Sequence, residues 1–182
     1  MKISTYGRGN VGGGLAALWE KAGHEVTRMG REAGDVSGAD VVLLAVPGGA
    51  VAEAMRKLRG LEGKTFIDAT NRFGVESPPG FSSNAEFVKA QTNGPTAKAF
   101  NLNWARLYGQ LSQTRVRPSN LWCGDDEAAE IVERLTRDAG YDPVCTGGLE
   151  MAGLHEAMMR AMSGVKDEIG FFVYRAAPPD SL

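Results

Sequence analysis

The sequence feature that most constrains this chain is a glycine motif, Gly7-Arg8-Gly9-Asn10-Val11-Gly12, which directly follows the strand-like segment Lys2–Tyr6. A segment with helical periodicity covers residues 11–22, so the motif stands between a strand and a helix. Glycines at these positions permit a tight turn, a close approach of the backbone to a ligand, and close packing of the helix on the sheet. The free amides of the helix N-terminus attract anions, and Arg8 can add a full positive charge. The motif therefore predicts a turn that binds the pyrophosphate of a dinucleotide, and the alternative is a purely structural glycine turn.

Strand-like and helical segments alternate along the rest of the chain. The predicted strands are Glu25–Met29, 41–45, Thr65–Asp68, 96–100, 120–123 and Asp142–Cys145, and the predicted helices are 11–22, 50–58, 83–91, 104–111, 125–139 and 150–174. Such alternation is typical of a parallel sheet, and the continuously apolar segment 41–45 predicts a central strand covered by helices on both faces. We therefore predict an α/β fold of the Rossmann type, in which a doubly wound, mainly parallel sheet carries a short helical C-terminal extension.

Length and charge limit the class of protein. A chain of 182 residues buries enough apolar surface to fold without disulfides or metals, so we expect one domain over residues 1–182. The net charge of −2 gives no basic excess for binding nucleic acid or an anionic membrane. No apolar run is long enough to cross a bilayer and the N-terminus lacks a signal-peptide pattern, so we expect a cytoplasmic protein. Cys123 and Cys145 show neither CxxC nor metal-ligand spacing, which fits a reducing compartment and predicts no metal site.

The residues that follow the second strand indicate which dinucleotide binds. An NAD site usually has Asp or Glu at this point, where the carboxylate accepts hydrogen bonds from the ribose hydroxyls. In this chain the strand Glu25–Met29 is followed by Gly30 and Arg31. Gly30 exposes a backbone N–H, and the Arg31 guanidinium can make a bidentate contact with a phosphate. The pair therefore predicts NADP(H), and the alternative is that Arg31 only solvates the surface.

Three further loops leave the carboxyl ends of predicted strands, where ligands bind in a doubly wound sheet. The candidate cofactor contacts in the first two loops are Ala45, Val46, Pro47 and Asn71, and the candidate contacts to a second substrate in the third loop are Asn101, Leu102 and Asn103. The asparagines can donate hydrogen bonds to a carboxamide, a ribose or a second substrate. Asparagine also favours turns and helix caps, so a structural role is the alternative for each of them.

The sequence resembles the NADPH-dependent reductases of the deazaflavin coenzyme F420 and their dinucleotide-binding relatives. The stretches that carry the resemblance are Gly7 to Gly12, Ala22-Gly23-His24-Glu25-Val26, Gly30-Arg31, Ala39-Asp40, Ala45-Val46-Pro47, Asp68-Ala69-Thr70-Asn71 and Lys98-Ala99-Phe100-Asn101. The resemblance implies direct hydride transfer between stacked nicotinamide and deazaflavin rings, which needs no catalytic acid or base from the protein. Asn101 stands where several of these reductases have histidine, and Arg8 replaces a common small hydroxyl residue. The acceptor can therefore be coenzyme F420, FMN or another flavin, a quinone or a different hydride acceptor.

The function predicted from these features is transfer of hydride between NADPH and a deazaflavin or flavin-like acceptor. One alternative is a dehydrogenase of a small hydroxy acid, although that class usually carries a large helical second domain with a catalytic lysine or histidine. The other alternative is a non-catalytic NADP(H)-binding sensor, although nothing in the sequence resembles a DNA-binding helix pair. Fold and cofactor alone do not separate these functions.

The last predicted helix suggests an interface. Met151, Leu154, Met158 and Met162 form an apolar stripe that can pack on the core or on a second subunit, so we expect a homodimer. His155 lies beside this stripe, and we interpret it as an interface residue in preference to a proton donor. His24 follows the first helix at the edge away from the predicted site, so we interpret it as structural.

Overall fold

A computed structural model describes residues 1–181 of the chain. Its strands are β1 (Lys2–Tyr6), β2 (Glu25–Met29), β3 (Gly34–Asp35), β4 (Val41–Leu44), β5 (Leu58–Arg59), β6 (Thr65–Asp68), β7 (Thr96–Lys98), β8 (Ser119–Gly124) and β9 (Asp142–Cys145). Seven of these described strands form one sheet in the order β2-β1-β4-β6-β7-β8-β9. The first five run parallel to one another, whereas β8 is antiparallel to β7 and β9 is parallel to β8. The predicted Rossmann-type, mainly parallel sheet is confirmed.

Five helices within the described residues cover the sheet. They are α1 (Asn10–Lys21), α2 (Val51–Lys57), α3 (Asn84–Thr92), α4 (Ala129–Asp138) and α5 (Ala152–Ile169). Alternate residues of β4 belong to different cores: Val41 and Leu43 share a core with α1 and α4, whereas Val42 and Leu44 share a core with α2 and α3. The predicted burial of this central strand on both faces is therefore confirmed.

Several predicted boundaries differ from the structure. The helix predicted over 150–174 ends at Ile169, because Gly170 adopts φ +85°, and Phe172 and Tyr174 then pack against the cluster around Leu102. The helix predicted over 104–111 is a 3-10 segment, Ala105–Gln113. The short parallel pair of β3 and β5, Gly34–Asp35 with Leu58–Arg59, was not predicted. No helix within residues 1–181 is both long enough and apolar enough to cross a membrane.

The order of the strands creates one crevice at the carboxyl edge of the sheet. Strand β1 lies between β2 and β4, so the connections from β1 and β4 leave toward opposite sides. Such a switch point is where open α/β sheets bind their ligands. Backbone bonds continue past the strand ends, with the Ala45 N–H donating to the Tyr6 carbonyl at 2.9 Å and the Ala69 N–H donating to the Leu44 carbonyl at 3.0 Å. The predicted loops therefore start side by side.

Candidate functional site

The glycine turn fits between β1 and α1 with almost no space for side chains. Gly7 has φ +117°, and a Cβ atom there would lie 2.3 Å from the Ala45 carbonyl oxygen. A Cβ atom on Gly12 would lie 2.0 Å from the Gly7 carbonyl oxygen. Gly9, which precedes the first residue of α1, differs from both because no atom lies within 4 Å of the place its Cβ would take. The backbone at Gly9 is thus open to a ligand, while its neighbours close the turn on the sheet.

A cavity of about 590 Å³ lies beside this turn. The predicted cofactor residues that line it are Gly7, Arg8, Gly9, Gly30, Arg31, Ala45, Val46 and Pro47. The lining residues that the sequence analysis missed are Tyr6, Ala50, Glu53, Ala54 and Lys57. Tyr6 is the last residue of β1 and the other four come from α2 or the turn before it, where helical periodicity alone does not indicate which residues face a ligand. The volume is within the usual range for a small-molecule site.

The loop after β2 is held from both sides. The Tyr6 hydroxyl, on a buried side chain, lies 3.3 Å from the Arg31 carbonyl and 3.0 Å from the Glu32 carbonyl and donates to this pair of oxygens. The Lys57 ammonium donates to the Arg31 carbonyl at 3.1 Å. The Arg31 side chain is exposed and forms no hydrogen bond or ion pair within residues 1–181. Its backbone is therefore fixed while its guanidinium remains available to an anion.

Carboxylates accompany the cations of this cavity. Glu32, which the sequence analysis did not consider, lies 3.9 Å from the Arg8 guanidinium, and both side chains are largely exposed. A Cβ atom on Gly30 would lie 3.0 Å from the Glu32 carboxylate and 3.1 Å from the Arg8 guanidinium, so the glycine leaves room for this pair. The Lys57 ammonium lies 2.6 Å from the Glu53 carboxylate. This hydrogen bond raises the pKa of Lys57 and lowers the pKa of Glu53, which keeps both groups charged at neutral pH.

Two of the predicted asparagines form a reciprocal pair. The Asn71 amide donates to the Asn101 backbone carbonyl at 2.7 Å, and the Asn101 amide donates to the Asn71 side-chain oxygen at 3.0 Å. A Cβ atom on Gly48 would lie 2.4 Å from the Asn71 carbonyl, so this pair adjoins the loop that carries Pro47. The Asn101 Oδ1 atom is buried and has no hydrogen-bond partner among residues 1–181. The Asn101 Oδ1 atom thus stays unsatisfied, and neither asparagine is among the residues that line the cavity.

Other predicted contacts occupy different surroundings. Asn10 is exposed in the first turn of α1, whereas Val11 packs against the core. The Asn103 amide donates to the Ser119 carbonyl at 3.0 Å, which ties the loop after β7 to β8. Leu102 is fully buried against Met159 and Met162, so its side chain is a core element in this structure.

The two histidines lie outside the cavity. The His155 ring lies 2.7 Å from the Thr146 hydroxyl, and burial lowers the pKa of His155 to about 4. Because only 4% of His155 is exposed, the interpretation of this residue as an interface residue is wrong. His24 contacts the Asp138 carboxylate at 2.8 Å and the N-terminal amine at 3.3 Å, so its role in this structure is structural, as expected.

The fold is a Rossmann-like α/β fold, with the cavity at the carboxyl edge of its sheet. No family model matches the chain, and no curated protein sequence matches it. Among solved structures, a proposed F420-dependent NADP reductase from Arthrobacter sp. FB24 is similar with a TM-score of 0.81 and 21% identity, over 98% of this chain and 100% of that one.

Two other similar structures belong to longer proteins. A reductive aminase from Aspergillus terreus, solved with NADPH and ethyl levulinate, has a TM-score of 0.68 and 19% identity, over 92% of this chain and 62% of that one. The 3-hydroxyisobutyrate dehydrogenase of Mycobacterium tuberculosis has a TM-score of 0.65 and 16% identity, over 94% of this chain and 66% of that one. At these identities the similarities establish the fold.

Proposed function

We propose that this protein is an NADP(H)-dependent oxidoreductase that transfers hydride between NADPH and a deazaflavin, coenzyme F420, or a flavin-like acceptor. The observation that carries the proposal is the cavity that joins the open backbone at Gly9 to the exposed Arg31 guanidinium. One end of this cavity suits a pyrophosphate and the other suits a 2′-phosphate. The similar structures include proteins whose names or bound ligands refer to NADP or NADPH.

The residues present fit NADP(H) along the length of the site. The amides at the start of α1, next to Gly9, would hold the pyrophosphate, and Arg31 with Arg8 would hold the 2′-phosphate. The Arg8–Glu32 pair is exposed and 3.9 Å long, so exchange of the carboxylate for a phosphate costs little. The Asn71–Asn101 pair adjoins the loop that carries Pro47, at the carboxyl edge of the sheet where the nicotinamide would lie.

The proposed chemistry asks little of the protein beyond orientation. When bound, NADPH supplies the hydride, and the chain's own residues position the ring and limit access of water. The lining residues of the cavity include neither histidine nor cysteine, the hydroxyl of Tyr6 is engaged by backbone carbonyls, and the acid–base groups Glu53 and Lys57 pair with each other at 2.6 Å. An acceptor that takes hydride directly, as a deazaflavin or flavin does, suits such a site better than one that needs a protein acid.

The experiment that tests the proposal is anaerobic mixing of the protein with NADPH and oxidised coenzyme F420, followed by the absorbance of the deazaflavin. We expect bleaching with NADPH but not with NADH, and parallel reactions with FMN and with a small hydroxy acid plus NADP⁺ identify other acceptors or donors. Tight NADPH binding without turnover of any of these would contradict the enzyme assignment and favour a sensor.

The choice of NADP(H) over NAD(H) has its own variant test. Arg31→Ala should weaken NADPH binding about ten- to a hundredfold, the value of a charge-assisted hydrogen bond, and should leave NADH binding nearly unchanged. Arg28→Ala is the matched control, because Arg28 lies three residues earlier, in β2, and pairs with the Glu20 carboxylate at 2.6 Å, outside the cavity. Equal losses for both cofactors in Arg31→Ala would contradict the proposed 2′-phosphate contact.

We also propose that the chain folds as a single domain and forms a homodimer through α5. The structure divides the predicted apolar stripe: Met162 is buried against the core, whereas Leu154 and Met158 are exposed together with Val165 and Ile169. These four exposed residues share one side of α5 at helical spacing. Sedimentation should show a dimer that Met158→Asp converts to a monomer. A monomeric wild-type protein at working concentrations would contradict the proposal.

A further inference from the structure

A lysine without contact to solvent lies at the carboxyl end of β7. The Lys98 side chain is 0% exposed, and its ammonium group lies 2.8 Å from the Asp68 carboxylate, 2.7 Å from the Thr70 carbonyl and 2.7 Å from the Glu156 carboxylate. An ammonium has three N–H donors, and these three acceptors use all of them. Lys98 is therefore fully satisfied by the protein itself.

The ion pairs continue beyond Lys98 to the loop after β6. The second oxygen of Glu156, on α5, accepts from the Arg72 guanidinium, which also donates to the Ser77 hydroxyl and, at 2.9 Å, to the Ser82 carbonyl. Two carboxylates, Asp68 and Glu156, thus face two cations, Lys98 and Arg72, so the formal charges of the cluster cancel. Buried charges persist only when they are paired in this way.

This cluster holds the loop that carries Asn71 from both sides. Thr70 precedes Asn71, and its carbonyl accepts a hydrogen bond from Lys98. Arg72 follows Asn71, and its guanidinium binds the Glu156 carboxylate. The Asn84 amide adds further bonds on the same side, to the Thr70 hydroxyl at 2.9 Å and to the Gly48 carbonyl at 3.0 Å. The Asn71–Asn101 pair thereby rests on a charged support that reaches from β6 to α5.

We infer that Lys98 and Glu156 are positioning residues that fix the Asn71–Asn101 pair at the nicotinamide end of the cofactor site. This inference rests on the proposed function. It states that the ion pairs of this cluster hold the residues of the cofactor site in place. Lys98 does not act as a proton donor or acceptor toward a ligand, because it is buried and its three protons are already committed. Its effect on the reaction passes through the backbone of Thr70 and the amide of Asn71.

The experiment compares two ligands that share the adenosine end and differ at the other end. Isothermal titration with NADPH and with 2′,5′-ADP, which lacks nicotinamide, is made on the wild-type protein, Lys98→Met and Glu156→Gln. Glu156→Gln keeps the size of the side chain and one acceptor oxygen, so it disturbs the buried cluster less than Lys98→Met does. We expect NADPH affinity to fall about tenfold or more, as for a displaced positioning group, and 2′,5′-ADP affinity to change less than about twofold.

Lys89→Met is the matched control. The Lys89 ammonium pairs with the Asp125 carboxylate at 2.7 Å, a distance similar to those of Lys98, but at the opposite edge of the sheet, where β7 begins. Loss of this pair should leave the ratio of the two affinities unchanged. A variant of Lys98 or Glu156 that loses both affinities equally, or neither, overturns the inference.

Two further readouts separate the inference from the proposed function and from acid–base catalysis. A wild-type protein that binds neither NADPH nor 2′,5′-ADP overturns the proposed function, whereas normal binding with an unchanged ratio in the variants overturns only the positioning role. Where hydride transfer is observed, Glu156→Gln should lower kcat and keep the shape of its pH profile. Loss of an ionisation from that profile would show that the cluster exchanges protons with the substrate and would overturn the positioning role.

Discussion

Two glycines of the turn, Gly12 and Gly9, should respond differently to the same substitution. Gly12→Ala places a methyl group 2.0 Å from the Gly7 carbonyl oxygen, and that oxygen belongs to backbone packed on the loop after β4. Gly9→Ala places the methyl group in open space, since no atom lies within 4 Å. The first substitution should therefore damage the fold, whereas the second should damage only the binding of a ligand to the turn.

The magnitudes follow from these distances. A contact of 2.0 Å must lengthen by more than 1 Å to reach an ordinary van der Waals distance, and the methyl group meets a backbone oxygen that cannot rotate away as a side chain can. Overpacking of this kind costs about 3 kcal/mol, which corresponds to about 6–12 °C in Tm for a chain of this size. At Gly9 the loss of a favourable helix cap and the lower entropy of the unfolded chain oppose each other, so Tm should change by about 4 °C or less.

The assay is thermal unfolding of the protein without ligand, followed by titration with NADPH. Gly9→Ala should keep the wild-type Tm and lose about ten- to a hundredfold in NADPH affinity, the value of one charge-assisted hydrogen bond to the pyrophosphate. Gly12→Ala should unfold at a clearly lower temperature. The reasoning is refuted if Gly9→Ala is as unstable as Gly12→Ala, or if it binds NADPH as tightly as the wild-type protein.

Three other predictions concern stability and the loop after β2. Burial lowers the pKa of His155 to about 4, so below pH 6.5 the unfolded chain binds more protons than the folded chain. The unfolding free energy should therefore fall by about 3 kcal/mol between pH 6.5 and 4. Urea titrations should show a weaker fall in His155→Gln. Gly164→Ala should raise the unfolding free energy by about 0.5–1 kcal/mol, because Gly164 lies within α5 with nothing near its Cβ position; a lower midpoint in urea would contradict this. Tyr6→Phe removes the hydroxyl that holds the carbonyls of Arg31 and Glu32, so titration should show weaker binding of 2′,5′-ADP, and unchanged affinity would count against a role for this loop.

The sheet and its first turn were predictable because they depend on local patterns. The strand bounds Lys2–Tyr6, Glu25–Met29, Thr65–Asp68 and Asp142–Cys145 agree with the structure, since each segment contains β-branched residues and is followed by turn residues. The strand predicted over 96–100 ends two residues earlier, at Lys98. Phe100 then adopts φ +63° although it is bulky and fully buried, and no local propensity predicts such a conformation.

The chemistry around the cavity was less predictable because it depends on which side chains meet. Arg31 was predictable from its place after β2, whereas the approach of Glu32 to Arg8 and the bond from Lys57 to the Arg31 carbonyl were not. These contacts join segments that are more than 20 residues apart. Spacing along one element carries no information about them.

The buried ion pairs around Lys98 were predictable only in part. Asp68 and Lys98 each end a strand whose other residues are buried, so a charged residue in that place is the one local signal of an internal ion pair. The third and fourth partners, Glu156 and Arg72, lie on a helix and a loop that resemble solvated surface in the sequence. A buried pair is weak support for stability, because apolar residues often replace it at no cost. The position of this pair next to Asn71 therefore fits the inferred positioning role better than a contribution to the stability of the fold.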